Sequence, residues 1–151
     1  MTSQMKRAAG VIAAVTLGGF MTACAHPVDT DVTAGGFTDG TYTGRSQADD
    51  NGEYGAIKLT IGGGDDITAA TFQLYEKSGH VKDSEYGKVN GQIMDVNAYH
   101  RAQEGIVAAP KYAAQLVSTD DLAKVDVISG ATLSYQQFEE AVQDALRDAH
   151  R

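Results

Sequence analysis

Two alternating segments on either side of a glycine run constrain the fold of this chain most strongly. Ala56–Ile61 alternates apolar with polar side chains, as a half-buried strand does. In the second segment one face would carry Ile67, Ala69, Thr71, Gln73 and Tyr75, and the other Thr68, Ala70, Phe72 and Leu74. Gly62–Asp66, between them, lacks the lysine and the helix of a phosphate-binding loop, so it predicts a hairpin turn. We therefore expect an antiparallel pair of strands.

Other stretches add shorter strands and a loop. Thr41–Arg45 follows an Asp-Gly turn signal and predicts a further strand. Val125–Ile128 is a short apolar run that also reads as a strand. Glu76–Gly91 is polar and contains three glycines, which indicates a long exposed loop.

Two helices complete the predicted domain. Residues from Asn97 to about Ser118 suit a helix, with Gly105 and Pro110 as points where it would break. From Tyr135 to about Ala149, apolar residues recur at spacings of three and four, which is typical of an amphipathic helix. The pattern predicts a small α+β domain over residues 39–151, with an antiparallel sheet packed against helices.

The first residues have the features of an export signal. Lys6 and Arg7 precede a short apolar run, and Met21-Thr22-Ala23-Cys24 follows it. This end resembles the lipobox of bacterial lipoproteins. The resemblance implies a signal peptide over residues 1–23, acylation of Cys24, and a flexible tether over residues 24–38. A plain secretory signal, or an anchor helix with a chance cysteine, are the alternatives.

Charge and cysteine content exclude several classes of function. Cys24 is the only cysteine, so a lipidated chain keeps no thiol for a disulfide, a metal site or a nucleophile. The net charge is −8, and loss of Lys6 and Arg7 with the signal would make it −10. An acidic surface argues against nucleic acid as a partner.

The segment Asp126–Ser134 holds the candidate functional residues. Ser134 with Gln137 fits a capping box, so a helix would start just after Thr132. Helix N-termini favour anions, and Gly130 and Ala131 would leave the backbone accessible. From spacing and composition alone, a simple strand-to-helix turn is the favoured interpretation of these residues.

The same residues resemble a known motif. Asp126-Val127-Ile128-Ser129-Gly130-Ala131-Thr132 is similar to the flavinylation motif of the FMN-binding domain family, and Asp39–Gly44 resembles its first strand. This family occurs in sodium-pumping NADH:quinone reductase, in the Rnf complex and in small lipoproteins. The resemblance implies that a flavin transferase takes FMN from FAD and esterifies it to Thr132. The neighbouring site residues would be Asp126, Ser129, Gly130, Ala131, Leu133 and Ser134.

The resemblance also implies a role. The protein would be a lipid-anchored electron carrier in the bacterial cell envelope, facing outside the cytoplasmic membrane. It would take electrons from a membrane quinol or dehydrogenase and pass them to a redox acceptor. Alternatives are a binding or antigenic lipoprotein with noncovalent FMN or none, and a small flavin reductase subunit.

Other candidate residues are weaker. His80 and His100 are far apart in the sequence and are interpreted as solvated side chains, with no metal site expected. Tyr42, Tyr99 and Tyr112 are the right type to stack on a flavin, although tyrosines of a small domain mostly pack its core and surface. No catalytic residue is predicted.

Overall fold

A computed structural model describes residues 36–150, in which two helices cover one face of a three-stranded antiparallel sheet. The strands are β1 (Gly40–Arg45), β2 (Tyr54–Gly62) and β3 (Asp66–Tyr75), in the order β1-β2-β3. The helices are α1 (Val96–Thr119) and α2 (Thr132–Ala149), and a 3-10 turn at Leu122–Lys124 lies between them. The predicted α+β class is confirmed.

The predicted hairpin is present, and it contains one irregularity. Thr60 pairs with Ala69 and Ile61 pairs with Ile67, so Thr68 is an extra residue in β3. This β-bulge reverses the alternation, and Ile67 is buried on the same face as Phe72 and Leu74. The predicted grouping of Ile67 with Ala69 and Thr71 is therefore wrong, because the bulge turns another large apolar side chain into the core.

The core lies between the inner face of the sheet and the two helices. α2 packs over β1 and β2, whereas α1 packs over β3. Among the largest fully buried side chains are Ile57, Leu59, Tyr112, Leu116, Phe138 and Leu146. Gly44 permits the close approach of β1 to α2, since a Cβ there would overlap the Ala141 carbonyl oxygen and the Ala145 nitrogen.

Helix α1 continues through both residues at which a break was predicted. Pro110 lies inside it, and buried side chains stand on both sides, including Ala109 and Tyr112. Packing of that face on the core offsets the backbone hydrogen bond that proline cannot make. Gly105 faces α2 at a point where a Cβ would overlap Oγ of Ser134. Here glycine allows close helix packing rather than ending the helix.

Side chains of one partly buried cluster hold the long loop between β3 and α1 in place. Lys82 Nζ and the Tyr86 hydroxyl each lie 2.6 Å from the Glu53 carboxylate. Gln103 of α1 donates to the carbonyls of Asp83 and Tyr86. The predicted loop is confirmed, and side chains hold its central part against Glu53, just before β2, and against α1.

The start of the described chain is packed against the domain. Asp65 accepts hydrogen bonds from the backbone N–H groups of Gly36 and Phe37. The Phe37 ring lies 4.5 Å from that of His150, at the end of α2. The packed part thus begins before Asp39, whereas the predicted signal peptide, Cys24 and most of the tether lie outside the described residues.

Within residues 36–150, no helix has the length and apolar character needed to cross a membrane.

Candidate functional site

The Ser-Gly pair of the motif forms a tight turn ahead of α2. Ala131 N donates to the Ile128 carbonyl over 3.0 Å, which closes the four-residue turn. Gly130 occupies its third position with φ of +82°, as a type II turn requires. A residue with a Cβ would be strained in this conformation. The turn exposes Ser129 and Gly130 and buries Ala131 beneath them.

Helix α2 begins at Thr132, earlier than predicted. Its N-cap is Ala131, whose carbonyl accepts from Tyr135 N, and no side chain caps the helix. The predicted capping box is therefore wrong. Ser134 is instead the third helical residue and is buried beside Gly105. Because the helices meet closely there, the serine side chain fills space between them and does not fold back to cap the helix.

The first amide groups of α2 are open. Within residues 36–150, no protein acceptor pairs with the N–H groups of Thr132, Leu133 or Ser134. These groups lie at the positive end of an 18-residue helix, where an anion is stabilised. Thr132 is exposed at the same point, so its hydroxyl is accessible to another protein. This end of α2 therefore fits a phosphate group attached to Thr132.

Side chains from α1 and α2 hold the segment before the turn, and it is not the predicted strand. Asp126 N donates to Gln115 Oε1 over 2.9 Å, and the Val125 carbonyl accepts from the Tyr135 hydroxyl over 3.2 Å. Ile128 N donates to the Tyr112 hydroxyl over 3.1 Å. Since these side chains satisfy its backbone, residues 125–128 need no partner strand.

One carboxylate lies against the turn. Glu104 of α1 approaches Gly130 so closely that a Cβ on the glycine would overlap Oε2. Glu104 is exposed, as is Asp126, two residues before the turn. A phosphate on Thr132 would therefore share this region with negative side chains, and the helix amides are the groups that favour it.

Exposed apolar side chains are placed near the turn. Val127 and Leu133 flank it in the chain and are 52% and 55% exposed. Val107 lies about one helical turn after Glu104 on α1 and is 55% exposed. Such side chains suit an apolar ring system, and of the three only Leu133 was named as a site residue from sequence. An exposed valine on a helix gives no sequence signal of its own.

The three tyrosines predicted as candidates for flavin stacking lie in different surroundings. Tyr112 is fully buried, so its ring has no free face for a cofactor. Tyr42 and Tyr99 are partly buried and donate to the carbonyls of Thr38 and Ser84, respectively. His80 and His100 are exposed, and the described part of the chain holds no cluster of three metal-ligating side chains.

The surroundings of Tyr135, near the turn, change the acidity of its phenol. Burial, and then the neighbouring Glu139 carboxylate, raise the pKa of Tyr135 to about 12. Its hydroxyl stays neutral over the physiological range and can donate to the Val125 carbonyl throughout.

Comparisons with known proteins agree with this architecture. The family model described as FMN-binding domain matches residues 52–147, which is more than half of the chain. The crystal structure of the CPE2226 protein from Clostridium perfringens is similar, with a TM-score of 0.58 and 25% identity. That match covers 75% of this chain and 88% of the other. No significant match is found among curated proteins.

Proposed function

Since the chain belongs to the FMN-binding domain family and is thus a flavin-binding protein, we propose that it carries FMN covalently on Thr132. The observation that carries this proposal is the position of Thr132. It is an exposed hydroxyl at the first residue of α2, directly after the turn of the motif and beside open helix amides. Ser129, Gly130 and Ala131 build that turn.

Attachment is a phosphoryl transfer without redox change. The Thr132 oxygen displaces AMP from FAD: a bond from this oxygen to the FMN phosphorus forms, and the pyrophosphate bond breaks. The hydroxyl proton leaves to the transferase or to water. A threonine hydroxyl is a weak nucleophile, so a flavin transferase and its metal ion supply the activation. The resulting phosphodiester keeps one negative charge, which the N–H groups of α2 stabilise.

The proposed role is electron transfer outside the cytoplasmic membrane. The flavin supplies the redox chemistry when bound, and the domain sets its surroundings and its exposure. A covalent bond prevents loss of the cofactor from an exported protein. Acylated Cys24 would keep the domain at the bacterial membrane, close to a quinol or dehydrogenase donor and a redox acceptor.

Intact mass of the full-length chain tests the attachment and the anchor together. The chain is expressed in bacteria with and without a flavin transferase, and the mass of the purified protein is measured. We expect loss of residues 1–23, lipid on Cys24, and one FMN that requires the transferase. Thr132→Val should carry no FMN, whereas Thr132→Ser should still accept it.

A matched control separates the acceptor from threonines in general. Thr71 is exposed on the outer face of the sheet, so Thr71→Val should load normally. Covalent attachment at this residue would be excluded if FMN remained on Thr132→Val. It would also be excluded if the wild-type chain never gained the mass of FMN. Flavin that dissociates on denaturation would favour the noncovalent alternative.

Electron transfer is then tested on the loaded chain. A carrier should accept electrons once per flavin from a chemical reductant and hold them until an acceptor is added. Continuous oxidation of NADH, NADPH or a quinol by the domain alone would instead indicate the reductase alternative.

A further inference from the structure

A single buried hydroxyl joins the two ends of the turn ahead of Thr132. The Tyr112 hydroxyl accepts from Ile128 N over 3.1 Å and lies 3.2 Å from the Ala131 carbonyl, to which it donates. Ile128 and Ala131 are the first and last residues of the turn, and they also bond to each other. Tyr112 therefore closes the turn from the side of α1, more than a dozen residues earlier in the chain.

The ring of Tyr112 is itself fixed. It is fully buried and packs against Tyr135, at a centroid distance of 5.4 Å, and Phe138, at 5.5 Å, which are themselves neighbours. Both partners belong to the first half of α2. Because the ring is buried and packed in this aromatic cluster, its hydroxyl is a fixed point against which the turn is set.

One turn further along α1, Gln115 holds the start of the motif. Its Oε1 accepts from Asp126 N at 2.9 Å, and its Nε2 lies 3.5 Å from the Asp126 carbonyl. Tyr112 and Gln115 thus bond to four backbone groups: the N–H and the carbonyl of Asp126, the N–H of Ile128 and the carbonyl of Ala131. Their hydrogen bonds go to residues ahead of Thr132, and neither side chain is part of the motif.

We propose that Tyr112 is a positioning residue for flavin attachment, with Gln115 in a supporting part. It holds the Ile128–Ala131 turn in the one arrangement that presents Thr132 to a flavin transferase. This inference rests on the proposed attachment at Thr132. Suppose that the transferase binds only chains in which the turn is ordered. Its apparent affinity is then its affinity for the ordered turn multiplied by the fraction of chains in which the turn is ordered.

Tyr112→Phe tests the proposal, because phenylalanine keeps the buried ring and removes both hydrogen bonds. The full-length chain is the substrate, with FAD and purified flavin transferase, and covalent flavin is followed with time. We expect KM for the chain to rise about tenfold while kcat stays within about twofold, as loss of two hydrogen bonds predicts. Tyr42→Phe is the matched control, since it removes one tyrosine-to-carbonyl hydrogen bond at Thr38, away from the turn. It should leave both constants unchanged.

Amide hydrogen exchange provides a measurement that needs no flavin. The Ile128 N–H should exchange faster in Tyr112→Phe, while amides of β2 keep their protection. If Tyr112→Phe does not fold, Gln115→Met replaces it. That side chain is only partly buried, and we expect about a threefold rise in KM and faster exchange at Asp126.

The outcomes separate this inference from the proposed function. A wild-type chain that accepts no flavin ends both. A wild-type chain that loads, with the same KM and the same Ile128 exchange in Tyr112→Phe, leaves Thr132 as acceptor and overturns the role of Tyr112. A fall in kcat with unchanged KM would also overturn it, since it would place the effect in the chemical step.

Discussion

The β2–β3 hairpin and the segment Val125–Ala131 satisfy their backbones in different ways. In the hairpin, strands pair with each other over the whole of β2. In the segment, three of the backbone partners are side chains, from Tyr112, Gln115 and Tyr135. A ladder of backbone bonds depends little on which side chains are present, whereas a segment held by side chains depends on each of them. The sheet is thus a scaffold, and the motif segment is a part whose geometry a few residues determine.

The largest expected effect comes from breaking the scaffold at Gly44. A Cβ at Gly44 would overlap backbone atoms of Ala141 and Ala145, which cannot move aside as a flexible side chain can. We expect Gly44→Ala to lower the free energy of unfolding by about 3 kcal/mol, the upper range for overpacking. Denaturant unfolding measures this change.

Gly62→Ala is the control for Gly44→Ala. Gly62 is also a strand glycine, but a Cβ there meets nothing closer than 4.0 Å. A change below about 1 kcal/mol is expected. Equal losses in the two variants would contradict the close approach of β1 to α2.

A smaller effect is expected at Gly130, in the motif segment. Gly130→Ala places a Cβ at φ of +82° and against the Glu104 carboxylate, which lies at the end of an exposed side chain. The backbone conformation alone should cost about 1 kcal/mol, and the carboxylate can swing away. Thermal or denaturant unfolding gives the loss.

A second variant divides the effect at Gly130 into its two causes. Gly130→Ala combined with Glu104→Ala removes the contact but keeps the backbone strain. Full recovery of stability in the double variant would show that strain is negligible at this turn, contrary to the type II geometry.

The smallest expected effect concerns Tyr135 and has a defined pH dependence. The pKa of this phenol is raised from 10.0 to about 12 in the folded protein, so the unfolded chain loses its proton first as pH rises. Stability contributed by the neutral phenol is complete below pH 10 and is lost between pH 10 and 12. Tyr135→Phe should flatten this part of the stability curve.

At neutral pH the same variant reports only the lost hydrogen bond. Removing the contact of 3.2 Å to the Val125 carbonyl should cost about 1 kcal/mol. Burial and Glu53 also raise the pKa of Tyr86, so part of the alkaline loss remains in Tyr135→Phe. An unchanged slope above pH 10 would show that Tyr135 ionises alike in both states.

The contrast between hairpin and motif segment also explains what the sequence could predict. The period of two in Ala56–Ile61 and the glycine turn located β2 and β3, since such patterns are set by local burial. The bulge at Thr68 was not predictable from the sequence, because it depends on how the sheet packs. Only in the packed domain does the bulge place Ile67 on the buried face. The unbroken course of α1 through Pro110 depends in the same way on tertiary packing.

The candidate site divides similarly. The motif indicates the turn and Thr132 by resemblance, but the spacing of Ser134 to Gln137 predicts a helix cap that the structure does not contain. Its burial beside Gly105 depends on how closely the two helices approach. Tyr112 and Gln115 were placed on a helix from sequence, yet their contacts with residues 126–131 join positions that no local pattern links.

The packing of Phe37 on His150 sets how far Thr132 lies from the point at which the chain enters the domain. Phe37 lies at the last residues of α2, and Thr132 is its first residue, so the 18 residues of the helix separate them by about 27 Å. The proposed anchor ahead of residue 36 would therefore hold the domain by the end of α2 opposite to Thr132, the proposed acceptor. Under the proposed function, the orientation of α2 relative to the membrane would then set how close a flavin on Thr132 comes to a donor there.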